Sequence, residues 1–348
     1  MHRGLAFHLA TATALVIVFA SLYPYAGWRD PGITVFSFLS SPLPRHVLWG
    51  DFLINFSAYI PLGLFIAMAL IERLGAFGAI LFSAFLCSIL SLSMESLQMY
   101  LPSRVSSNMD WLANSAGGMT GALFSVRAWH VPFVEDRIAT LKDEWFLKGS
   151  AGNAGIALLS LWLFTQANPS LPLMGSWVLD EGSLIQRLFI PHRFSPIEAV
   201  SVALALFSFG LITSLMLKPG KESLAAVAMT LFLAIAIKSA TAGFLLKPSV
   251  FFAWASQEAL TGTASGLALI FFSRRLPPRK RTIIAFCAVL AQIGFTYFTP
   301  GIASPTSELF LFAWKYGQLY TLSGSTSFLA RLWPFLALSY LGFIYRKV

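Results

Sequence analysis

Runs of about twenty apolar residues recur along the whole chain, and no other feature constrains its fold as much. A bilayer core of roughly 30 Å takes about that many residues as a helix, and a segment there must satisfy its own backbone hydrogen bonds. Ten segments are expected to be helical: Leu5–Tyr23, Asp51–Ile71, Gly75–Tyr100, Asp110–Trp129, Asn153–Gln166, Pro196–Leu217, Leu224–Leu246, Phe252–Phe272, Ile283–Phe298 and Phe328–Tyr345. Of the 348 residues 57% are hydrophobic and only 11% charged, and the mean hydropathy is +0.72. Soluble domains carry about 25% charged residues. The expectation is an all-α polytopic integral membrane protein with about ten transmembrane helices. Long solid apolar runs argue against a β-barrel, whose strands are short and alternate.

The net charge of +9 would suggest nucleic acid in a soluble chain. Here the basic runs are short, Arg274-Arg275 and Arg279-Lys280-Arg281, and lack interleaved aromatics, so no nucleic-acid partner is expected. Lys and Arg instead report topology. With the N-terminus inside, 15 of the 24 fall on that face, 8 on the other, and Lys238 lies mid-helix. Both termini are then cytoplasmic, and the long connections 168–195 and 299–326 face outward. The apolar run from Leu5 is long for a signal peptide and is read as an uncleaved first helix. Residues 1–129 form an N-terminal membrane half, 130–150 a cytoplasmic amphipathic connector, and 151–348 a C-terminal half.

Polar residues crowd the ends of the second, third and fourth segments. Asp51, Asn55 and Tyr59 are spaced i, i+4, i+8 and share a stripe, as do Glu95 and Gln98, and then Asp110 and Asn114. The charge count places all of these at the outer face, as a cup opening outward, with Arg104 in the tight turn beside them. A guanidinium there is suited to pairing with Asp110 or Glu95, or with an anionic ligand such as phosphate. Gly117, Gly118 and Gly121 make a small-residue face that lets another helix approach closely, and Pro61 with Gly63 is expected to kink or loosen the second helix. Plainer roles stand beside these. Asp110 suits a helix N-cap, Asn55 an interhelical bridge, and Glu95 with Arg104 a structural ion pair. Ionisable groups inside membrane helices nonetheless point to a functional site.

Cys87 and Cys287 read as two buried packing thiols, and the five histidines form no zinc-like pair, so no cofactor is expected; a metal role for the three carboxylates stays open. Lys238 needs a partner, for which Gln257 and Glu258 are candidates, although depth argues against direct contact. Trp314, Lys315 and Tyr316 read as an interfacial anchor. Aligning Asp110-Trp-Leu-Ala-Asn-Ser-Ala-Gly-Gly with Glu258-Ala-Leu-Thr-Gly-Thr-Ala-Ser-Gly, and Leu62–Phe65 with Leu204–Phe207, suggests a degenerate second copy of a three-helix unit at 196–275.

The ordered pattern Asp51-x3-Asn55-x3-Tyr59-x-Pro61-Leu62-Gly63, then Glu95-x2-Gln98-x5-Arg104-x5-Asp110-x3-Asn114-x2-Gly117-x3-Gly121, resembles the VanZ-like family over about residues 48–129. These are bacterial membrane proteins named for a member associated with low-level teicoplanin resistance. The resemblance implies a role in the cell envelope, in the bacterial inner membrane, rather than a particular reaction, and glycopeptide resistance itself is not carried over. The leading expectation is that the outer cup binds or handles membrane lipids or lipid-linked saccharide precursors. The alternatives are a scaffold for envelope enzymes that uses the glycine face, and a carboxylate- or metal-dependent membrane enzyme.

Overall fold

In a computed structural model, residues 3–42, 49–129, 140–168, 171, 173, 194–221, 223–248, 251–252, 254–298 and 318–346 are described. Among them there are nine named α-helices, a further helical stretch at 140–145, one short 3-10 turn at Ser37–Ser40 and no strand. Five helical stretches are long and apolar enough to cross a membrane: Arg3–Leu22, Asp51–Gln98, Pro196–Met216, Ser223–Leu245 and Gly324–Tyr345. The chain divides into two compact units, Met1–Glu144 and Trp145–Val348.

The N-terminal unit holds α1 (Arg3–Leu22), α2 (Trp49–Gln98) and α3 (Asn108–Trp129). At 50 residues α2 would be about 75 Å long if straight, more than twice a bilayer core. It is not straight. Gly75 sits at φ 68°, ψ 174°, a region open essentially to glycine alone, and folds α2 back on itself as two limbs, 49–74 and 76–98. The expected gap between Ile71 and Gly75 is therefore a single residue, and Glu72-Arg73 stay helical. The helix also runs on through Pro61. Pairing of the limbs is visible in their shared core, where Ile71 packs with Ala79 and Tyr59 with Cys87.

α3 lies against both limbs at backbone distance. A Cβ built on Gly117 would stand 2.0 Å from Phe56 O, one on Gly121 2.0 Å from Ile60 O, and one on Gly63 1.9 Å from Gly118 O. Gly118 faces the other limb, where its Cβ would meet Cys87 Cβ at 2.4 Å. With no hydrophobic effect between helices in lipid, this closeness supplies the dispersion contacts that hold them. The outward side of the second limb is apolar and uncovered, with Phe77, Leu81 and Phe85 all exposed.

The C-terminal unit comprises α4 (Gly149–Thr165), α5 (Pro196–Met216), α6 (Ser223–Leu245), α7 (Gln257–Ser273), α8 (Pro278–Phe298) and α9 (Gln318–Tyr345). α5 is its axis, with 78% of its apolar window buried. Trp162 of α4 and Trp333 of α9 close on Phe209 of α5, and Trp333 Nε1 donates to Leu158 O at 3.0 Å. α7 runs parallel to α5 in close contact, Gly262 against Ala199 O and Gly266 against Ala203 O.

Several boundaries differ from expectation. α4 opens at Gly149 rather than Asn153, α7 opens after the Ser256 cap rather than at Phe252, and α8 opens at Pro278, so Arg279-Lys280-Arg281 form its first turn. Pro fits a first helical position because it has no N–H to lose there. α9 begins at Gln318, inside what reads as an outer loop. Cys87 is buried but Cys287 is exposed on α8. Lys238 is fully buried, and its ammonium donates to Asn168 O at 2.8 Å and Leu171 O at 3.0 Å, just beyond the end of α4. Glu258 instead accepts the Ser195 N–H at 3.2 Å. Residues 140–145 are helical, while 130–139 of the connector, Trp314-Lys315-Tyr316 and the charged residues of the 174–193 connection lie outside the described residues.

The glycine contacts give a paired test. Gly121→Ala must push α3 off α2 and is expected to destabilise by about 1–3 kcal/mol. Gly342→Ala in α9, where a Cβ meets nothing within 4 Å, is expected to be neutral or stabilising by about 0.5–1 kcal/mol. Thermal unfolding of the detergent-solubilised variants separates the two.

Candidate functional site

The C-terminus of α1, the first turns of α2, the last turn of its second limb and the start of α3 meet at one end of the N-terminal unit. The last four carbonyls of any helix lack partners within it, and a membrane-embedded end cannot leave them to water. Here they are met one by one. Tyr25 Oη donates to Phe19 O at 2.7 Å, Arg104 Nη2 to Ala20 O at 2.8 Å and Gln98 Nε2 to Ser21 O at 2.9 Å. The Tyr25 N–H donates to Leu22 O at 2.9 Å, and Arg104 Nε reaches Tyr23 O, also at 2.9 Å. A cation at this position also complements the negative end of the helix dipole. Burial pushes the Tyr25 phenol up, against a smaller opposing pull from Arg104, which keeps the hydroxyl protonated as a donor.

Arg104 therefore differs from expectation. Two of its donors serve carbonyls at the end of α1 rather than a carboxylate or an anionic ligand. Gln98 likewise serves α1.

Behind this clamp lie the acids. Glu95 is only 3% exposed, and its Oε2 accepts the Ser107 N–H at 2.9 Å. Ser106 Oγ donates to Glu95 O at 2.6 Å. The N-cap of α3 is Ser107, whose Oγ accepts from Met109 N at 3.1 Å and Asp110 N at 3.4 Å. The capping role expected of Asp110 thus falls to Ser107, the residue just before the first helical turn. Asp110 faces Asn55 and Asp51 across the bundle, and Glu95 lies within electrostatic reach of both Asp110 and Arg104.

Deeper still, Asn114 Nδ2 donates to Ser91 Oγ at 3.0 Å, while its Oδ1 is buried without a partner. The Tyr59 hydroxyl, in a residue 3% exposed, lies beside Ser91 and Glu95 and also has no hydrogen-bond partner. Trp111 Nε1 is occupied by Ser88, at 3.3 Å to its carbonyl and 3.1 Å to its Oγ. Asp51, Asn55, Tyr59, Glu95, Asp110 and Asn114 thus share one end of the unit. Among the described residues, no three His, Cys, Asp or Glu side chains converge as a metal-ion ligand set.

Sequence reasoning missed Tyr25, Ser91 and Ser107. Ser107 carried a readable signal, a Ser three residues ahead of an acid at a helix start. Tyr25 and Ser91 carried none, since their partners are a backbone carbonyl and an amide on the next helix, 23 residues away.

Arg104→Lys keeps the charge but not the fork that spans Ala20 O and Tyr23 O. It is expected to destabilise the unit by about 1.5–3 kcal/mol, read as a lowered Tm in detergent. An unchanged Tm would show that the α1 carbonyls find other partners.

No curated protein and no solved structure matches the chain. Residues 6–129, which include α1 as well as α2 and α3, match the family model described as VanZ/LLP1. The N-terminal unit of this protein carries a VanZ-like domain.

Proposed function

We propose that this chain is an envelope membrane protein whose VanZ-like unit binds and handles membrane lipids or lipid-linked saccharide precursors at its polar end. One observation carries the reading. Carboxylates, amides and a phenol, with Glu95, Tyr59 and Asn114 buried, share one end of a bundle whose outer surface is apolar. Buried polar groups that lack partners are costly in a membrane, and a ligand with polar and apolar parts would relieve them.

The reading includes ten spans in the inner membrane with both termini cytoplasmic, supported by the excess of Lys and Arg on that face. It includes an internal duplication as well. In each unit a parallel helix pair sets two glycines four residues apart on carbonyls four residues apart, Gly117 and Gly121 on Phe56 and Ile60, Gly262 and Gly266 on Ala199 and Ala203. Glu95 follows Phe56 by the same 39 positions as Lys238 follows Ala199, and each unit satisfies carbonyls at the end of its first helix with a cation. This register is three residues off the alignment of Asp110 with Glu258.

Gly117, Gly118 and Gly121 pack inside the unit, so a scaffold role would have to use another face.

The test is the lipid that the purified full-length chain retains, identified by mass spectrometry. Wild type is expected to retain one envelope lipid class selectively. Asp51→Asn, Glu95→Gln and Asp110→Asn are expected to lose it at least about tenfold while inserting normally, the effect of one charge-assisted hydrogen bond. Retention of the same lipid by all three variants would sink the reading.

A further inference from the structure

The polar end of the N-terminal unit is rich in acceptors, and its donors are largely in use. Arg104 Nε and Nη2 and Gln98 Nε2 donate to α1 carbonyls. Trp111 Nε1 donates to Ser88, Asn114 Nδ2 to Ser91, and the Ser107 N–H to Glu95. What remains are carboxylate oxygens of Asp51, Glu95 and Asp110, the last beside the Asn55 amide, and, beneath them, two groups without hydrogen-bond partners among the described residues. These are Asn114 Oδ1 and Tyr59 Oη, in residues 6% and 3% exposed. An acidic cluster alone would say little, but below it the orphaned Asn114 oxygen wants a hydrogen-bond donor, and the Tyr59 hydroxyl is able to accept one while its own proton needs an acceptor.

We propose that this end, if it handles lipids as argued above, recognises a primary ammonium head group rather than a phosphate. An ammonium brings three N–H donors and a compact positive charge, which match carboxylate and amide oxygens. A phosphate would bring negative charge beside three carboxylates, with the nearest guanidinium already turned to α1, and like charges in a low dielectric repel strongly. A quaternary ammonium carries the charge without N–H donors and leaves the orphaned oxygens as they are. A primary amine on a lipid and a free amine offer the same chemistry, so the test must separate them.

The full-length chain in detergent is offered phosphatidylethanolamine, phosphatidylcholine and phosphatidylglycerol of matched acyl chains, and bound lipid is counted by native mass spectrometry. The expected result is retention of phosphatidylethanolamine about tenfold over the other two, with the preference lost in Asp110→Asn and in Asp51→Asn. Asp51 lies in the first turn of α2 and, unlike Glu95, accepts no backbone N–H among the described residues, which keeps the test open if Asp110→Asn unfolds. Phosphatidylcholine retained as well as phosphatidylethanolamine overturns the proposal, as does a preference that survives in a folded Asp51→Asn variant. Phosphatidylglycerol retained selectively and lost in the variants overturns the ammonium but leaves the lipid reading standing. No selective retention overturns both. Displacement of the bound lipid by millimolar ethanolamine supports the proposal with a free amine sufficient. Displacement by neither ethanolamine nor inorganic phosphate supports it with a lipid-borne amine, and displacement by phosphate alone overturns it.

Discussion

The N-terminal unit depends on how the carbonyls at the end of α1 are satisfied. Five consecutive carbonyls, from Phe19 to Tyr23, each accept a hydrogen bond, from Tyr25, Arg104, Gln98 and the Tyr25 backbone. In water a helix may end almost anywhere, because the solvent serves its last turn. At the edge of a hydrocarbon core each unmet carbonyl carries a penalty of several kcal/mol, so the donors have to be built in. Tyr25 supplies two of these bonds locally, and the other three come from the last turn of α2 and the loop before α3, so satisfying α1 also fixes where those segments lie. Placed by the same constraint, Glu95 receives the N–H of Ser107, and Ser107 caps α3. The acids thus stand on a frame set by backbone need.

A second constraint works along the bundle rather than at its end. The contacts of Gly117 and Gly121 with the carbonyls of Phe56 and Ile60 leave no room for a single carbon atom. Packing this close brings helix dipoles and polar side chains together without intervening lipid, and it supports a buried amide such as Asn114 between three helical segments. The C-terminal unit repeats the device with Gly262 and Gly266, but there the buried polar group is Lys238, which meets carbonyls beyond α4. In each unit a polar group is buried beside the close helix pair, and its partners are supplied from within that unit.

The sequence disclosed much of this arrangement, and for identifiable reasons. Side-chain spacing is periodic, so Asp51, Asn55 and Tyr59 could be placed on one stripe, and the helical character of every long apolar run was plain. Backbone carbonyls have no letter in a sequence. That is why Arg104 read as a partner for an acid or an anion, why Lys238 was offered Glu258, and why α1, which brings mainly carbonyls, was left outside the module that the family model begins at residue 6. The cap of α3 was misplaced for a different reason. Ser107 and Asp110 are both good capping residues, and the choice between them turns on a three-residue shift of the helix start, which is finer than apolar patterning resolves. Gly75 could not be recognised as the sole break in α2, because its neighbours Glu72 and Arg73 look like a loop and are not.

The shut seam between α3 and the first limb of α2 also decides how anything enters. An acyl chain is about 4 to 5 Å across, and helices whose backbones touch leave no slot for one. A lipid that keeps its tails in the bilayer while presenting its head to Asp110 cannot slide in past Gly117 and Gly121. It must come from above the helix ends, or across another edge of the bundle. The two glycines that hold the unit together therefore also shut one side of its polar end.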